Sequence, residues 1–511
     1  MIPITWMPPL MFAGLIVFML IGFPVAFSLM AAGLFFAAIA ISQGFFDLVF
    51  LQAIPERIFG GVLANDLLLA IPFFTFMGAI LERCGLAEDM LDSMGQLFGR
   101  IRGGLGYSVI IVGFVLGAIT GTVAAQVIAM AMISLPVMMR YGYNMRYATG
   151  VLAASGTITQ LVPPSLVLIV LADQLKTQTG SADVGSMYLG AWGPSLIQIG
   201  LFALYTFILS RLRPDWLPAA PLDEVQMSGW VLWKKCLAGI IPSAILIFLV
   251  LGTIMLGIAT PTESGAMGAM GALFLAWLRR AKIAHLGRNI KESYQNTMRI
   301  TSMVIFILIG STCFSVVFQG VDGGVWVEEL FTHIPGGWIG FLIVVNLFVF
   351  FLAFFLDFFE IAFIVVPLLA PVAEKLLAPV LLESMGGNLQ AASTAALVWF
   401  GVMLCVNMQT SFMHPPFGFA LFYLRGVASK EVKSSDIYWG ALPWVGLQLV
   451  MVALVMFFPA LVTTFLDKPA PIAASQEFDF GGEQEKSIHA DPAGSPDPDA
   501  PVRFELEKPN R

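Results

Sequence analysis

The sequence contains a series of apolar runs that are each about as long as a lipid bilayer is thick, for example 237–258, 303–318 and 445–466. A helix of about 20 apolar residues spans the hydrocarbon core, and only helices or closed barrels satisfy their backbone hydrogen bonds there. Barrel strands alternate apolar and polar residues, and these runs do not. The runs therefore predict an all-α membrane protein, a polytopic helical bundle.

The charge content leads to the same conclusion. Only 12% of the 511 residues are charged, whereas soluble domains carry about 25%. Because the surface of a folded chain grows with its mass, the missing polar surface has to face lipid. The four cysteines are far apart in apolar surroundings, so we expect buried thiols and no metal cluster. Residues 467–511 are rich in Pro, Asp and Glu and are predicted to be a disordered tail.

The basic residues orient the bundle. In the predicted span order the arginines and lysines of 100–102, 140–146 and 279–299 fall on one side, and the acidic residues of 322–329 fall on the other. By the positive-inside rule the basic side is cytoplasmic. Segment 281–300 is basic and amphipathic, which predicts a helix along the cytoplasmic interface.

Two apolar stretches, 104–140 and 338–374, are interrupted midway by small or polar residues. Each is too long for one helix and too short for two complete spans, so both are predicted to be re-entrant hairpins. Each is followed by a segment that contains paired prolines, 147–175 in the first copy and 391–428 in the second. Since the span order makes the copies enter from opposite sides, the pattern predicts an inverted repeat.

The paired prolines predict a break in mid-membrane. They follow Val162 in the first copy and His414 in the second; proline removes a backbone donor and disfavours helix at the residue before it. A broken helix in lipid has to be buried or line an aqueous site, where freed N–H groups suit an anion and freed carbonyls suit Na⁺. The alternative, that the prolines merely kink the helices, explains one break better than two matched breaks that each follow a hairpin.

Small or oxygen-bearing residues stand at the breaks and at the hairpin tips. One break opposite one tip makes an ion site, and the substrate would bind between the two ion sites. The first predicted Na⁺ site comprises Thr120, Gly121, Thr122, Ser155 and Gly156. The second comprises Asp357, Gln409, Thr410 and Ser411. The predicted substrate contacts are Thr120, Thr157, Gln160, Asp357, Gln409 and His414.

Some of these residues have a second interpretation. Asp357 and Glu360 form a D-x-x-E pattern typical of a helix cap, so Asp357 is interpreted as a cap, a ligand or both. Thr260 and Glu263 form a T-x-x-E pattern that favours a cap alone. His414 is interpreted either as a carboxylate ligand or as a neutral, hydrogen-bonded side chain.

Several motifs in order resemble the large membrane subunit of tripartite ATP-independent periplasmic (TRAP) transporters. The resemblance covers nearly all of residues 1–466. The matching stretches are IGFPVAFSL (21–29), AIPFFTFMGAILERCGLAEDML (70–91), GAITGTVAAQVIAMAMISLPVMMRYGYNMRYATGVLAASGTITQLVPPS (117–165), ATPTESGAMGA (259–269) and MHPPFGFALF (413–422).

The resemblance implies the ion-transporter superfamily fold and an elevator mechanism, in which a transport domain moves against a scaffold and is driven by a Na⁺ gradient. It implies uptake of an organic anion, such as a mono- or dicarboxylate, across the bacterial inner membrane. The implied partners are a small four-helix membrane subunit and a periplasmic solute-binding protein. Na⁺ is the coupling ion, with no other cofactor. Two alternatives remain: a stand-alone Na⁺/carboxylate symporter, and a membrane enzyme or channel, for which no nucleophile–base pair or nucleotide loop is visible.

The sequence departs from the family pattern at each copy. Thr120-Gly121-Thr122 stands where the family usually has Ser-Gly-Ser, which keeps the oxygens. His414 stands where a threonine usually precedes the prolines, and Phe412 replaces a small residue.

The predicted domain organisation has six parts. Residues 1–99 form N-terminal scaffold helices, residues 100–175 form the first half of the transport domain, and residues 176–337 form further scaffold helices. Residues 338–428 form the second half of the transport domain, residues 429–466 a last membrane helix, and residues 467–511 the tail.

Overall fold

The computed structural model describes residues 3–120, 122–219, 230–281, 283, 285–354, 356–415 and 418–466. Within them the chain is helical and forms no strand; the predicted tail, 467–511, lies outside the described residues. The helices are α1 Met7–Leu20, α2 Val25–Ser42, α3 Ala53–Ile58, α4 Ala70–Glu82, α5 Leu86–Phe98, α6 Gly104–Thr120, α7 Val123–Arg140, α8 Met145–Thr157, α9 Leu166–Gln174, α10 Val184–Leu212, α11 Trp230–Met255, α12 Pro261–Leu278, α13 Leu286–Gly320, α14 Gly323–Thr332, α15 Gly337–Leu352, α16 Phe358–Ile364, α17 Val366–Leu381, α18 Leu389–Met408, α19 Phe419–Val427, α20 Ser434–Phe457 and α21 Ala460–Thr463.

The lengths and composition of these helices confirm a polytopic membrane protein. Within the described residues, six helices are long and apolar enough to cross a bilayer, and up to nine spans result if each of three bent pairs counts as one. The four cysteines are buried and free, as predicted.

Two helices begin at capping boxes that the sequence pattern predicts. The Thr260 hydroxyl accepts the backbone N–H of Glu263 at 3.3 Å, and the Glu263 carboxylate accepts the backbone N–H of Thr260 at 2.8 Å. The predicted capping box is confirmed there, and a second one joins Asp357 and Glu360 at the start of α16. Such boxes satisfy amide groups that a helix start otherwise leaves without partners.

Two groups of helices account for much of the packing. The first group comprises α2 along α13, α4 along α12, and α11 on α5 and α12. The second group comprises α8 against α7 and α20, and α17 against α18. The groups are not separate units, because α5 also packs on α7. Glycines allow the closest approaches, since an added Cβ at Gly310 would lie 2.5 Å from the Ala26 carbonyl oxygen. Small residues at helix contacts are typical of membrane bundles.

The basic segment 281–300 is not a separate element. Residues from Leu286 onward belong to α13, a single helix of 35 residues that continues to Gly320. No proline occurs between Leu286 and Gly320, so no residue in this stretch removes a backbone donor and ends the helix. Glu292 forms an ion pair with Arg83, and the Ser293 hydroxyl donates to the Ala79 carbonyl at 3.1 Å, which holds this end of α13 to α4.

The last predicted helix also ends early. α20 stops at Phe457, and the short helix α21 follows, so segment 429–466 is not one continuous helix. Pro459 explains the stop, because proline disfavours helical backbone at the preceding residue, Phe458. Phe458 has φ −124° and ψ 75°, outside the helical region.

Candidate functional site

The first pair of prolines interrupts a buried helix. α8 ends at Thr157, one 3₁₀ turn follows at Ile158–Gln160, and α9 starts only at Leu166. The Ser165 hydroxyl caps α9 by accepting the backbone N–H of Val167 at 3.1 Å. A helix C-terminus and a helix N-terminus therefore face the same short gap.

The second pair of prolines interrupts a second helix in the same way. α18 ends at Met408, a 3₁₀ turn covers Gln409–Phe412, and α19 starts at Phe419. Both predicted breaks are thus confirmed as interruptions of helix. Pro416 and Phe417 lie outside the described residues.

The hairpin formed by α6 and α7 is hydrogen-bonded to the first break. The Gln126 amide donates to the Gly113 carbonyl of α6 at 2.6 Å and to the Ser155 carbonyl of α8 at 2.9 Å. The Thr159 hydroxyl donates to the Gly156 carbonyl at 2.8 Å and also contacts the Gln126 amide oxygen. These bonds tie α6 and α7 to the end of α8 and to the first break.

Close packing also holds α7 against α8 next to the first break. A Cβ added at Gly156 would lie 2.2 Å from Val127, so a side chain at position 156 would push α8 away from α7. Thr122 has extended backbone at the start of α7, and its side chain makes no capping bond. The side chain of Thr120 and residue Gly121 lie outside the described part of the chain.

At the second tip, Asp357 caps α16. Its carboxylate accepts the backbone N–H of Phe358 at 2.7 Å, and its own backbone N–H donates to the Glu360 carboxylate at 2.9 Å. Capping is therefore one role of Asp357.

A second contact joins the second broken helix to α15. The Asn407 amide of α18 donates to the backbone and side-chain oxygens of Asn346 at 2.8 and 3.0 Å.

Aromatic rings surround the second break. The His414 ring stacks on Phe354 with centroids 4.1 Å apart and meets Phe350 edge-on at 4.4 Å. The Phe412 ring lies 6.2 Å from that of Phe358 at the start of α16. The second site is thus flanked by rings, whereas hydroxyl and amide groups flank the first.

The two breaks are in contact with each other. The Thr157 hydroxyl accepts the Gln448 amide of α20 at 3.0 Å and lies 3.7 Å from the Met413 sulfur. The Cys405 thiol donates to the Gln160 carbonyl at 3.2 Å. The two breaks therefore meet in one region of the bundle, next to α20.

Several buried polar groups in this region lack partners. The Ser155 hydroxyl and both amide atoms of Gln160 and of Gln409 have no hydrogen-bond partner among the residues that the structure describes. All three side chains are at most 3% exposed. A buried polar group without a partner costs about 1–3 kcal/mol, so each needs an explanation such as a ligand. Gln198 of α10 is also without a described partner, but the other three side chains lie at two breaks that touch.

Most of the predicted site residues lie in this region. Ser155, Gly156 and Thr157 end α8 and Gln160 ends the turn that follows it. Gln409, Thr410 and Ser411 lie in the turn after α18, and His414 lies just beyond that turn. The hydroxyls of Thr410 and Ser411 donate to the carbonyls of Asn407 and Met408, each at 2.7 Å. A hydroxyl that donates one bond keeps oxygen lone pairs with which it can contact a cation.

Sequence reasoning missed several buried polar residues that hold the site together. Gln126, Asn346 and Gln448 are isolated polar side chains on apolar helices, a pattern that marks functional positions in membrane proteins. Thr159 and Asn407 stand close to other polar residues at the two breaks.

Residues 12–461 match the model of the family described as "Tripartite ATP-independent periplasmic transporter, DctM component". The chain is 27% identical over 464 residues to the C4-dicarboxylate TRAP transporter large permease protein DctM of Rhodobacter capsulatus, covering 88% of this chain and 97% of that protein. It is 27% identical over 439 residues to the sialic acid TRAP transporter large permease protein SiaM of Vibrio cholerae, covering 86% and 93%.

A third relative is the 2,3-diketo-L-gulonate TRAP transporter large permease protein YiaN of Escherichia coli, 25% identical over 445 residues with 86% of this chain and 95% of that protein covered. The crystal structure of the YdaH transporter of Alcanivorax borkumensis has a similar fold, with a TM-score of 0.53 at 15% identity over 81% of this chain and 89% of that chain. The family match spans both broken helices and nearly all of the described bundle. This chain therefore belongs to the DctM-component family of TRAP transporters, as a large membrane permease subunit.

Proposed function

We propose that this subunit moves an organic anion, a mono- or dicarboxylate, into the cell together with Na⁺. A periplasmic solute-binding protein would deliver the anion, and a small four-helix membrane subunit would complete the transporter in the inner membrane. The names of the relatives support the substrate class, since C4-dicarboxylates, sialic acid and 2,3-diketo-L-gulonate are all organic acids.

The observation that carries the proposal is the pair of unpaired, buried amides, Gln160 and Gln409, at two breaks that touch. The carbonyl ends of α8 and α18 carry partial negative charge and suit Na⁺. The amide ends of α9 and α19 carry partial positive charge and suit a carboxylate. An anion bound between two cations, with amide groups that orient it, satisfies all of these groups together.

An elevator movement is compatible with the packing. The first helix group would be the scaffold, and the second group, whose helices α8 and α18 lead into the two breaks, would move. Polar contacts between the groups include the Asn65 amide bound to the Asp173 carboxylate at 2.9 Å and the Ser311 hydroxyl bound to the Phe363 carbonyl at 2.5 Å. Both are single side-chain bonds, which a sliding movement can break and replace at small net cost.

Uptake into proteoliposomes tests the proposal. With all three components and an inward Na⁺ gradient, we expect accumulation of the anion, and we expect none when any one component is omitted. Uptake by this subunit alone would favour the stand-alone symporter instead. Uptake that continues after the Na⁺ gradient is collapsed would rule out Na⁺ coupling.

Thr410→Val and Thr122→Val should each raise the Na⁺ concentration for half-maximal uptake by about 10- to 100-fold. Each variant removes one oxygen ligand of the bound Na⁺. A bond to a charged group is worth about 1.5–3 kcal/mol, and every 1.4 kcal/mol changes the binding constant tenfold. Thr312→Val is the matched control, because the Thr312 hydroxyl makes a similar bond to the Leu308 carbonyl at 2.8 Å within α13. An unchanged Na⁺ dependence of uptake in both variants would show that neither threonine side chain binds Na⁺.

A further inference from the structure

An apolar groove lies between the start of the chain and the helices that lead into the second hairpin. α1 forms one wall, and α14, α15 and the first turn of α17 form the other. Its volume is about 1290 Å³, above the about 300–1,000 Å³ of typical small-molecule pockets. Every described residue that lines the groove is apolar, including Phe12, Ile16, Ile343 and Phe348. Apart from the indole N–H of Trp326, the side chains of these described residues offer a polar solute no partner.

The groove has the length of a lipid chain. Its wall on α1 runs from Pro9 to Met19, which is about 15 Å at the 1.5 Å rise per residue of a helix. One leaflet of a bilayer contributes about half of a hydrocarbon core of about 30 Å. A pair of acyl chains from one leaflet would therefore match the long dimension of the groove.

Charged and aromatic groups mark one end of the groove. Trp326 of α14 lies 6.4 Å from the Phe12 ring near the start of α1, so α14 is at that end. Two residues later, Glu328 forms an ion pair with Lys375 of α17, and both side chains are about half exposed. Tryptophan and lysine are typical of the headgroup level of a membrane. Lys375 is the cation that its pair with Glu328 brings next to α14, and a phosphate would have to take the place of that carboxylate.

We propose that this groove is a binding site for one phospholipid, whose two acyl chains fill the space between α1 and α15 and whose phosphate lies near Lys375. A membrane helix of another protein is a poorer fit. Helix contacts within membranes favour small residues that let backbones approach closely, whereas bulky side chains such as Leu330, Ile343 and Phe348 line these walls. Flexible acyl chains can fill such an irregular surface, because dispersion contacts need only close approach.

The bound lipid would contact the back of the second hairpin tip. The groove extends to Leu352 and Leu356, and Leu356 directly precedes Asp357, the residue that caps α16. The acyl chains would thus support the outer side of the tip.

Photocrosslinking tests the proposal with a phospholipid that carries a diazirine on one acyl chain, added to the purified full-length subunit in nanodiscs. We expect labelling concentrated on α1 and α15. Ile16→Trp, which places an indole ring in the part of the groove between α1 and α15, should lower labelling of α15 at least fivefold. Val17→Trp is the matched control, since Val17 is the next residue on α1, is 56% exposed and does not line the groove.

The headgroup contact is tested with Lys375→Gln. This variant should reduce labelling by the phospholipid to the level of a diacylglycerol probe, which lacks the phosphate. Equal labelling of α15 in Ile16→Trp and Val17→Trp would show ordinary lipid-facing surface and overturn the proposal. Loss of all labelling when the small membrane subunit is co-purified would also overturn it, because a protein helix would then occupy the groove.

Discussion

Gln409→Leu is expected to stabilise the folded protein and to weaken transport at the same time. The Gln409 side chain is fully buried, and neither of its amide atoms has a partner among the described residues. Replacing an unpaired amide with an apolar group of similar size removes a cost of about 1–3 kcal/mol. If the amide binds the transported anion or its Na⁺, the same change should raise the concentration of that ion needed for half-maximal uptake by about 10- to 100-fold.

Gln198→Leu is the matched control for this result. Gln198 is equally buried and equally without a described partner, but it lies on α10 and not at a break. We expect a similar rise in the melting temperature with uptake unchanged. Thermal unfolding of the purified subunit and uptake by the reconstituted transporter measure the two effects separately. Full uptake by Gln409→Leu would show that the amide does not bind the cargo.

Gly440→Ala is expected to destabilise the protein by about 3 kcal/mol, the upper end of the usual cost of overpacking. The added Cβ would lie 2.2 Å from the Arg146 carbonyl oxygen and 2.9 Å from the Thr149 hydroxyl, both on α8. On the facing helix, a Cβ at Gly150 would lie 2.3 Å from the Gly440 carbonyl oxygen. Since backbone forms both sides of this contact, the helices have to separate to admit a methyl group.

Gly446→Ala provides the control on the same helix. No atom lies within 4 Å of a Cβ added at Gly446, so the methyl group meets no clash and adds about 0.8–1 kcal/mol of helix propensity. Thermal unfolding in detergent should give opposite shifts for the two alanines. Because α8 leads into the first break, Gly440→Ala should also lower uptake by whatever protein remains folded. Equal melting temperatures would contradict the close contact between α8 and α20.

Much of the fold could be predicted from local patterns in the sequence. Apolar runs specify helices because lipid leaves the backbone no other way to satisfy its hydrogen bonds. Pro163 and Pro415 specify breaks through the loss of a donor and a steric clash, which depend only on neighbouring residues. The same holds for the Asp357–Glu360 capping box, whose partners are three residues apart.

The remaining features depend on contacts between distant parts of the chain. Gln448 binds Thr157 from 291 positions away, and Thr157 approaches Met413 from 256 positions away. No local pattern encodes these pairs, because tertiary packing decides which helix faces meet. A single glutamine or asparagine in an apolar helix does signal that a polar partner exists. Which residue is that partner becomes visible only in the folded bundle, as for Gln126 and Thr159.

Hydrogen exchange of the purified subunit in Na⁺ and in K⁺ at equal ionic strength tests the central claim most directly, since it requires neither the substrate nor the partner proteins. Binding of Na⁺ between the hairpin tips and the breaks should reduce the local opening of backbone hydrogen bonds around the site. We expect slower exchange in Na⁺ within 117–126, 155–165, 356–364 and 407–415, and unchanged exchange in α2 and α12. Identical exchange of those four segments in both salts would contradict an ion site built from the two broken helices.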